Sequence, residues 1–144
     1  MKPSPGPRPE TRHTKMKILV VDDEKDVRTL FEQRFRREIR SGQFEFSFAY
    51  SGEEALDYLH SHVSEVVLIL SDINMPGMSG LELLRQVKQE YDAPPPPAPL
   101  VMMITAYGDT ESYNQAMQLG ANDFLTKPVD FAALKEKLVS LEKI

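Results

Sequence analysis

The feature that most constrains the fold is a fivefold alternation of short apolar runs with segments whose apolar residues recur at helical spacing. The runs are KILVV, FEFSFAY, VVLIL, LVMMIT and DFLT, which begin at residues 17, 44, 66, 100 and 123. Each is followed by apolar residues three or four positions apart. Runs that are apolar on both faces are typical of parallel strands covered by helices on both sides. The pattern therefore predicts a doubly wound α/β domain of five strand–helix units. The second run alternates with period two, which suits an edge strand.

Two proline-rich segments, which hold nine of the 11 prolines, interrupt this pattern. Residues 1–15 contain almost nothing apolar and predict a disordered leader before a domain of residues 16–144. Residues 93–99 (APPPPAP) predict an extended loop before the fourth strand. Such a run can also be a ligand for an aromatic-lined groove, but a rigid connector is the favoured interpretation.

The composition argues against several classes of function. The formal charge of -5 disfavours a nucleic-acid-binding surface. The absence of cysteine excludes disulfides and thiolate chemistry and is compatible with a reducing cytosol. No apolar stretch approaches the roughly 20 residues that span a bilayer. We therefore expect a cytoplasmic protein without a membrane span and without direct nucleic-acid contact.

Polar side chains stand at the ends of four of the five predicted strands. Asp22 and Asp23 follow the first strand, and Asp72 follows the third. Thr105 ends the fourth strand, and Lys127 follows the fifth. Because the carboxyl ends of parallel strands meet at one edge of the sheet, we expect these five side chains to converge.

Three carboxylates in one pocket would repel one another, by roughly 4 kcal/mol for each pair at about 4 Å and an effective dielectric of about 20. Such a group takes up a proton or holds a cation, and oxygen ligands of this kind suit Mg²⁺ or Mn²⁺. Lys127 and the Thr105 hydroxyl would add a positive charge and a donor for phosphoryl oxygens. A carboxylate can then attack phosphorus and form an acyl phosphate.

These residues lie in four motifs: VVDDE (20–24), LSDINMPGMSG (70–80), MITAYGD (103–109) and GANDFLTKP (120–128). The set resembles the receiver domain of two-component response regulators, the CheY-like superfamily, from about Lys17 to Ile144. The resemblance implies a flavodoxin-like fold with five helices and strand order 2-1-3-4-5. It also implies a phosphoacceptor switch, which can catalyse its own phosphorylation and dephosphorylation but is not otherwise an enzyme. Its partners would be a sensor histidine kinase or phosphotransfer protein and an output domain or downstream protein.

The resemblance also implies the role of each site residue in the phosphorylation switch. Asp72 would be the phosphoacceptor, and Lys127 would pair with it and then with the phosphoryl oxygens. Thr105 would close on the phosphoryl group, and Phe124 would turn inward as the aromatic switch. The helix near residues 109–119, the following strand and the last helix would then repack for a partner.

A metal site and a turnover site follow from the same resemblance. Asp22, Asp23, Asp72 and the backbone carbonyl of Asn74 would hold Mg²⁺ or Mn²⁺. Asn74 and Tyr107 would tune dephosphorylation, since both flank the expected path of the attacking water. The peptide bond between Lys127 and the following proline is expected to be cis.

Other interpretations of the same residues stay open. An aspartate after a strand can simply cap the next helix. A haloacid-dehalogenase-like phosphatase also uses an aspartate, Mg²⁺, a hydroxyl and a lysine, but Asn74 stands where its second aspartate would be and the order of the motifs differs. A receiver-like binding module that is never phosphorylated usually lacks one of the five site residues, and none is missing here. The basic run FRREIR (35–40) is interpreted as a solvated helix face.

Overall fold

The computed structural model describes residues 16–62, 65–91 and 99–142. The strands are β1 (Met16–Val21), β2 (Phe44–Ala49), β3 (Leu68–Asp72), β4 (Leu100–Thr105) and β5 (Asp123–Thr126). The helices are α1 (Asp26–Arg34), α2 (Arg36–Ser41), α3 (Gly52–His62), α4 (Gly80–Tyr91), α5 (Thr110–Gln118) and α6 (Phe131–Glu142). The predicted leader and all but the last residue of the predicted proline-rich loop lie outside the described residues.

The five strands form one parallel sheet in the order β2-β1-β3-β4-β5, which confirms the predicted order and fold class. Alternate residues of β1 enter two separate apolar clusters. Leu19 and Val21 pack with residues of α3, α4 and α5 on one face. Ile18 and Val20 pack with residues of α1 and α6 on the other face. Because both faces are covered, the central strands are apolar throughout, which is why they appear as continuous runs in the sequence.

The first helix is bent, so the described residues contain six helical segments rather than the predicted five. Phe35 separates α1 from α2 with φ -113° and ψ 27°. The hydrogen bonds from Phe35 N–H to the Phe31 carbonyl and from Ile39 N–H to the Phe35 carbonyl, both 2.9 Å, continue the helical pattern across the bend. The predicted apolar face is also incomplete, because Leu30 is 40% exposed.

The third strand begins and ends two residues later than the apolar run VVLIL predicts. Val67 is 41% exposed, whereas every residue of β3 is buried. Asp72 is the last residue of the strand and lies opposite Ile104 of β4 in the register. Pairing with β4 therefore fixes the Asp72 backbone inside the sheet. Among the described helices, none is long and apolar enough to cross a membrane.

Candidate functional site

Three aspartates meet at the carboxyl edge of the sheet, as the strand ends predict. One carboxylate oxygen from each of Asp22, Asp23 and Asp72 lies within 4.8 Å of the others. Asp22 is only 6% exposed and Asp72 only 3% exposed, while Asp23 is more open to solvent. The cluster is therefore partly buried, and water screens its charges incompletely.

Neighbouring donors hold the two buried carboxylates in place. The Glu24 backbone N–H donates to Asp22 Oδ1 at 2.9 Å. The Asn74 backbone N–H donates to Asp72 Oδ1 at 3.4 Å, and the Lys127 ammonium donates to Asp72 Oδ2 at 2.9 Å. The Lys127 side chain remains 42% exposed, whereas the Asp72 side chain is 4% exposed. The predicted pairing of lysine and aspartate is therefore present.

The charges of the site are not balanced by this one lysine. Burial raises the pKa of the Asp22 carboxyl, and the nearby Asp72 charge raises that pKa further. Burial acts to lower the pKa of Lys127, but its hydrogen bond and charge interaction with Asp72 outweigh this and raise the pKa. Asp72 thus favours the charged form of Lys127, whereas burial and the Asp72 charge disfavour the charged form of Asp22.

The acidic cluster fits a hard divalent cation. Its donors are carboxylate oxygens, and the backbone next to Asp72 continues into Asn74, whose carbonyl is the predicted further ligand. Burial is the main cause of the raised pKa of Asp22, and repulsion by the Asp72 charge raises this pKa further. A cation among these oxygens would remove that repulsion, which is the charge argument for Mg²⁺ or Mn²⁺.

The loop after Asp72 is folded tightly against the strand end. Gly80 N–H donates to the Ile73 carbonyl at 2.8 Å, and Ile73 N–H donates to the Ile104 carbonyl at 3.2 Å. A Cβ at Gly80 would lie 2.8 Å from the Ile73 Cα, so no other residue fits there without a shift. Gly77 has φ +73°, a backbone conformation that favours glycine. These two glycines bring α4 close behind the phosphoacceptor candidate.

Thr105 ends β4, and Phe124 is the second residue of β5, opposite Met103 in the register. Thr105 is 2% exposed, and its hydroxyl donates to the Leu125 carbonyl at 3.4 Å. Phe124 is half-buried, and its ring meets Tyr113 of α5 edge-on with 4.5 Å between centroids. Thr105, Tyr113 and Phe124 are among the residues that line a cavity of about 220 Å³. The Thr105 hydroxyl is therefore engaged with β5, and Thr105 shares this cavity with the rings of Tyr113 and Phe124.

The remaining predicted residues lie at the surface of the site. Asn74 is exposed, and Tyr107 is 87% exposed. The bond between Lys127 and Pro128 is cis, as the resemblance implies. No sequence pattern indicates Tyr113 as a site residue, because its ring meets Phe124 only where α5 packs beside β5.

The sheet order and the acidic cluster with its lysine define a flavodoxin-like domain of the CheY type. Residues 18–139 match the family model of the response regulator receiver domain. The chain therefore belongs to the receiver domain family of two-component response regulators.

Individual relatives agree with this assignment. The chain is 32% identical over 128 residues to "Response regulator RppA" of Synechocystis sp., an alignment that covers 89% of this chain and 51% of that protein. It is 38% identical over 126 residues to "Response regulator protein PilR" of Pseudomonas aeruginosa, covering 85% of this chain and 25% of that protein. The chain thus spans about half of the first relative and a quarter of the second.

Solved structures of receiver domains superpose on this fold. A response regulator receiver domain protein from Clostridium thermocellum gives a TM-score of 0.76 at 26% identity, covering 89% of this chain and 94% of that one. A response regulator receiver protein from Pseudomonas putida gives a TM-score of 0.74 at 31% identity, covering 88% of this chain and 97% of that one.

Family membership establishes the general function of the chain. It is a response regulator receiver domain of two-component signalling, which is a signalling switch and not a classical enzyme. Receiver domains bind Mg²⁺ through an acidic cluster, and the chain has such a group in Asp22, Asp23 and Asp72. The haloacid-dehalogenase-like interpretation fits neither the family match nor the order of the motifs.

Proposed function

We propose that Asp72 accepts a phosphoryl group from a phosphohistidine of a sensor histidine kinase or a phosphotransfer protein. The observation that carries this proposal is the 2.9 Å ion pair between Lys127 and the buried Asp72 beside two further aspartates. In the reaction an Asp72 carboxylate oxygen attacks phosphorus, a P–O bond forms, and the P–N bond to the histidine breaks. The histidine nitrogen keeps the electron pair of the broken bond, and Asp72 becomes an acyl phosphate.

Each polar residue of the site has a part in this transfer. Asp22, Asp23, Asp72 and the Asn74 carbonyl would hold Mg²⁺ or Mn²⁺, which when bound balances the charge of the phosphoryl oxygens. Lys127 exchanges its hydrogen bond with Asp72 for one with a phosphoryl oxygen. The kinase approaches along a groove of about 880 Å³ between α1 and the loop after β5, which is lined by residues that include Asp22, Leu30 and Lys127.

Phosphorylation then changes the packing behind the site. The Thr105 hydroxyl leaves the Leu125 carbonyl and donates to a phosphoryl oxygen, and Phe124 turns into the space beside it. The rotation breaks the edge-on contact with Tyr113, so the surface formed by α5, β5 and α6 repacks. An output domain or downstream protein that prefers the new surface shifts the equilibrium towards it.

Turnover, domain extent and location complete the proposal. Asn74 and Tyr107 tune the lifetime of the acyl phosphate, a role supported by the exposure of both side chains to solvent. The receiver domain comprises residues 16–144 and follows a leader of residues 1–15, which the family match over residues 18–139 supports. The domain works in the cytoplasm, where it receives phosphoryl groups from its kinase.

The test is labelling with a small phosphodonor, acetyl phosphate, and Mg²⁺, followed by intact-protein mass spectrometry. We expect the wild type to gain one alkali-labile phosphoryl group and Asp72→Asn to gain none. The matched control is Asp57→Asn, which makes the same chemical change on the exposed face of α3 and should label as the wild type does. Equal labelling of Asp72→Asn and the wild type would assign the acceptor to another residue. A wild type that is never labelled, by this donor or by a phosphorylated kinase, would favour the phosphorylation-independent binding module.

A further inference from the structure

The outer edge of β2 offers main-chain hydrogen-bonding groups. Met16 N–H donates to the Gln43 carbonyl, and Asp22 N–H donates to the Ala49 carbonyl, both at 3.1 Å. Because parallel pairing uses alternate residues, the odd-numbered residues of β2 face β1. The N–H and C=O groups of the even-numbered residues, which are Phe44, Phe46 and Phe48, therefore point to the outer edge. Within the described part of the chain, no strand pairs with that edge.

This edge lacks the features by which edge strands usually avoid pairing with other chains. The strand sequence FEFSFA contains no lysine and no proline, and β2 forms six register pairs with β1 without a bulge. Phe46 and Phe48 are only half-buried. Their rings stack at a centroid distance of 6.4 Å, so they form a continuous aromatic surface along the edge.

A groove of about 380 Å³ runs beside this aromatic surface. We call it the β2 groove, and its lining residues are Glu32, Arg36, Ile39, Arg40, Phe44, Glu45, Phe46 and Phe48. The half-buried Phe46, Phe48 and Ile39 provide an apolar floor, and Arg36 and Arg40 of α2 provide polar walls. The backbone edge, the apolar floor and the arginines are therefore adjacent.

The charge of the β2 groove is opposite to that of the whole chain. The Glu32 carboxylate is already paired with Arg28 at 3.2 Å. Glu45 also lines the groove, but its side chain alternates with the phenylalanines and so lies on the face of the strand where the Ser47 hydroxyl meets Tyr58 of α3. Arg36 and Arg40 are exposed and form no ion pair with any residue in the described ranges. A locally basic groove on a chain of net charge -5 favours an acidic partner.

We propose that the β2 groove binds an extended acidic peptide segment of a partner protein, which adds to the sheet as a strand next to β2. The main chain of the segment pairs with the outward N–H and C=O groups of Phe46 and Phe48. Its apolar side chains pack on the groove floor, and its carboxylates meet Arg36 and Arg40. The basic run FRREIR, of which Arg36 and Arg40 are part, is then a recognition surface rather than only a solvated helix face.

Two other occupants fit the charges of the groove less well. Two copies of this chain that paired their β2 edges about a twofold axis would bring both basic grooves together. Residues 1–15 contain two lysines, two arginines and one glutamate, so their charge matches that of the groove instead of complementing it. An acidic segment of another protein meets neither objection.

The test uses a fluorescein-labelled, N-acetylated peptide of sequence EVDFDVE, in which acidic and apolar residues alternate. Its binding to the wild-type chain is followed by fluorescence anisotropy. Two comparison peptides are used. One replaces the acidic residues with lysine, and the other carries N-methyl groups on alternate amides, which removes hydrogen-bond donors from its backbone. The protein variants are Arg36→Glu with Arg40→Glu, and the matched control Arg37→Glu, whose side chain is exposed on the same helix but does not line the groove. Hydrogen exchange of the wild type, with and without peptide, is read at the amides of Phe46 and Phe48.

We expect saturable binding of the acidic peptide, weakened about tenfold by the double substitution and much less by Arg37→Glu. The lysine and N-methylated peptides should bind at least tenfold more weakly, and the acidic peptide should slow exchange at Phe46 and Phe48. Asp72→Asn should bind the peptide as the wild type does, because this proposal does not depend on phosphorylation. Absence of saturable binding, equal effects of the double and control variants, or unchanged exchange would overturn the proposal. Sedimentation equilibrium that shows a dimer lost in the double variant would assign the groove to a second copy instead.

Discussion

Replacing Asp22 by asparagine separates the metal-binding role of the acidic cluster from its effect on stability. The substitution removes one buried carboxylate and keeps a side-chain oxygen that can accept the hydrogen bond from the Glu24 N–H. In the wild type this N–H donates to Asp22 Oδ1 at 2.9 Å. We expect Asp22→Asn to be more stable than the wild type without Mg²⁺. We also expect the variant to lose most of the stabilisation that Mg²⁺ gives to the wild type.

The magnitude follows from the separation of the charges. The oxygens of Asp22 and Asp72 lie within 4.8 Å, where two unit charges at an effective dielectric of 20 repel by about 3.5 kcal/mol. Lys127 offsets part of this repulsion. We therefore expect a net gain of about 1–2 kcal/mol in the free energy of unfolding at neutral pH.

The pH dependence has a defined sign. Burial and the Asp72 charge raise the pKa of Asp22 in the folded protein, so the folded state holds this proton more tightly than the unfolded state. Wild-type stability therefore falls as the pH rises from the unfolded pKa through the folded pKa. The stability advantage of Asp22→Asn over the wild type should reach its full size above the pKa that Asp22 has in the folded protein. This advantage should disappear in acid.

Urea unfolding followed by circular dichroism, in EDTA and in Mg²⁺, measures both effects. Mg²⁺ at about ten times its dissociation constant should stabilise the wild type by about 1.4 kcal/mol and the variant by much less. Asp57→Asn, which removes an exposed charge on α3, should change stability by no more than about 0.5 kcal/mol. An Asp22→Asn variant less stable than the wild type in EDTA would refute the predicted repulsion, and equal stabilisation of both proteins by Mg²⁺ would refute the metal-binding role of Asp22.

Three further substitutions test other contacts. Gly80→Ala should lower the free energy of unfolding by about 3 kcal/mol in urea titrations, because its Cβ would lie 2.8 Å from the Ile73 Cα. Glu38→Gln should cost about 2 kcal/mol at neutral pH, because it breaks the 2.6 Å ion pair of a buried carboxylate with Lys135. Burial acts to raise the pKa of Glu38, but the hydrogen bond and charge of Lys135, a backbone hydrogen bond and the charge of Arg37 together outweigh it and lower the pKa. The contribution is therefore present above the unfolded pKa and is lost as the pH falls through the folded pKa. Thr105→Val should accept the phosphoryl label as the wild type does but show smaller phenylalanine ring shifts in NMR spectra on phosphorylation.

Each of these predictions has a result that contradicts it. Gly108→Ala is the control for Gly80→Ala, because a Cβ at position 108 would meet open space. Only the positive φ of +82° opposes alanine at this position, and we expect it to lower the free energy of unfolding by about 1 kcal/mol. Equal losses in the two glycine variants would contradict the close approach at Gly80. An effect of Glu38→Gln that persists unchanged in acid would mean that the ion pair is not its source. If Thr105→Val shows phenylalanine ring shifts as large as those of the wild type on phosphorylation, the Thr105 hydroxyl has no part in the switch.

Periodicity of apolar residues predicted the strands and helices because both faces of the sheet are buried. It failed at positions where burial does not determine the backbone conformation or the ends of a strand. The spacing of Phe31, Phe35 and Ile39 continues through the bend between α1 and α2, so nothing in the pattern marks it. The run VVLIL includes Val67, which is apolar but exposed, and omits Asp72, which is polar but lies in β3. Pairing with β4 sets the end of that strand, and a single segment carries no information on its partner.

The convergence of the site could be predicted because parallel strands place the residues at their carboxyl ends on one edge. Asp22, Asp23 and Asp72 meet for that reason, and Lys127 reaches Asp72 from β5. The engagement of the Thr105 hydroxyl could not be predicted, because it depends on a carbonyl of the neighbouring strand.

The two binding surfaces of this chain use different parts of the same sheet. The acidic site uses two aspartates that follow β1 and the aspartate that ends β3, so it depends on the residues at a few strand ends. The β2 groove uses main-chain groups along an edge, and their direction follows from the pairing of β2 with β1. The alternation in FEFSFA predicts an edge strand but leaves open which residues face outward. In the structure Phe46 and Phe48 provide both the ring surface and the outward backbone groups. Loss of phosphoacceptor chemistry would therefore leave the β2 groove intact, and Asp72→Asn tests that independence directly.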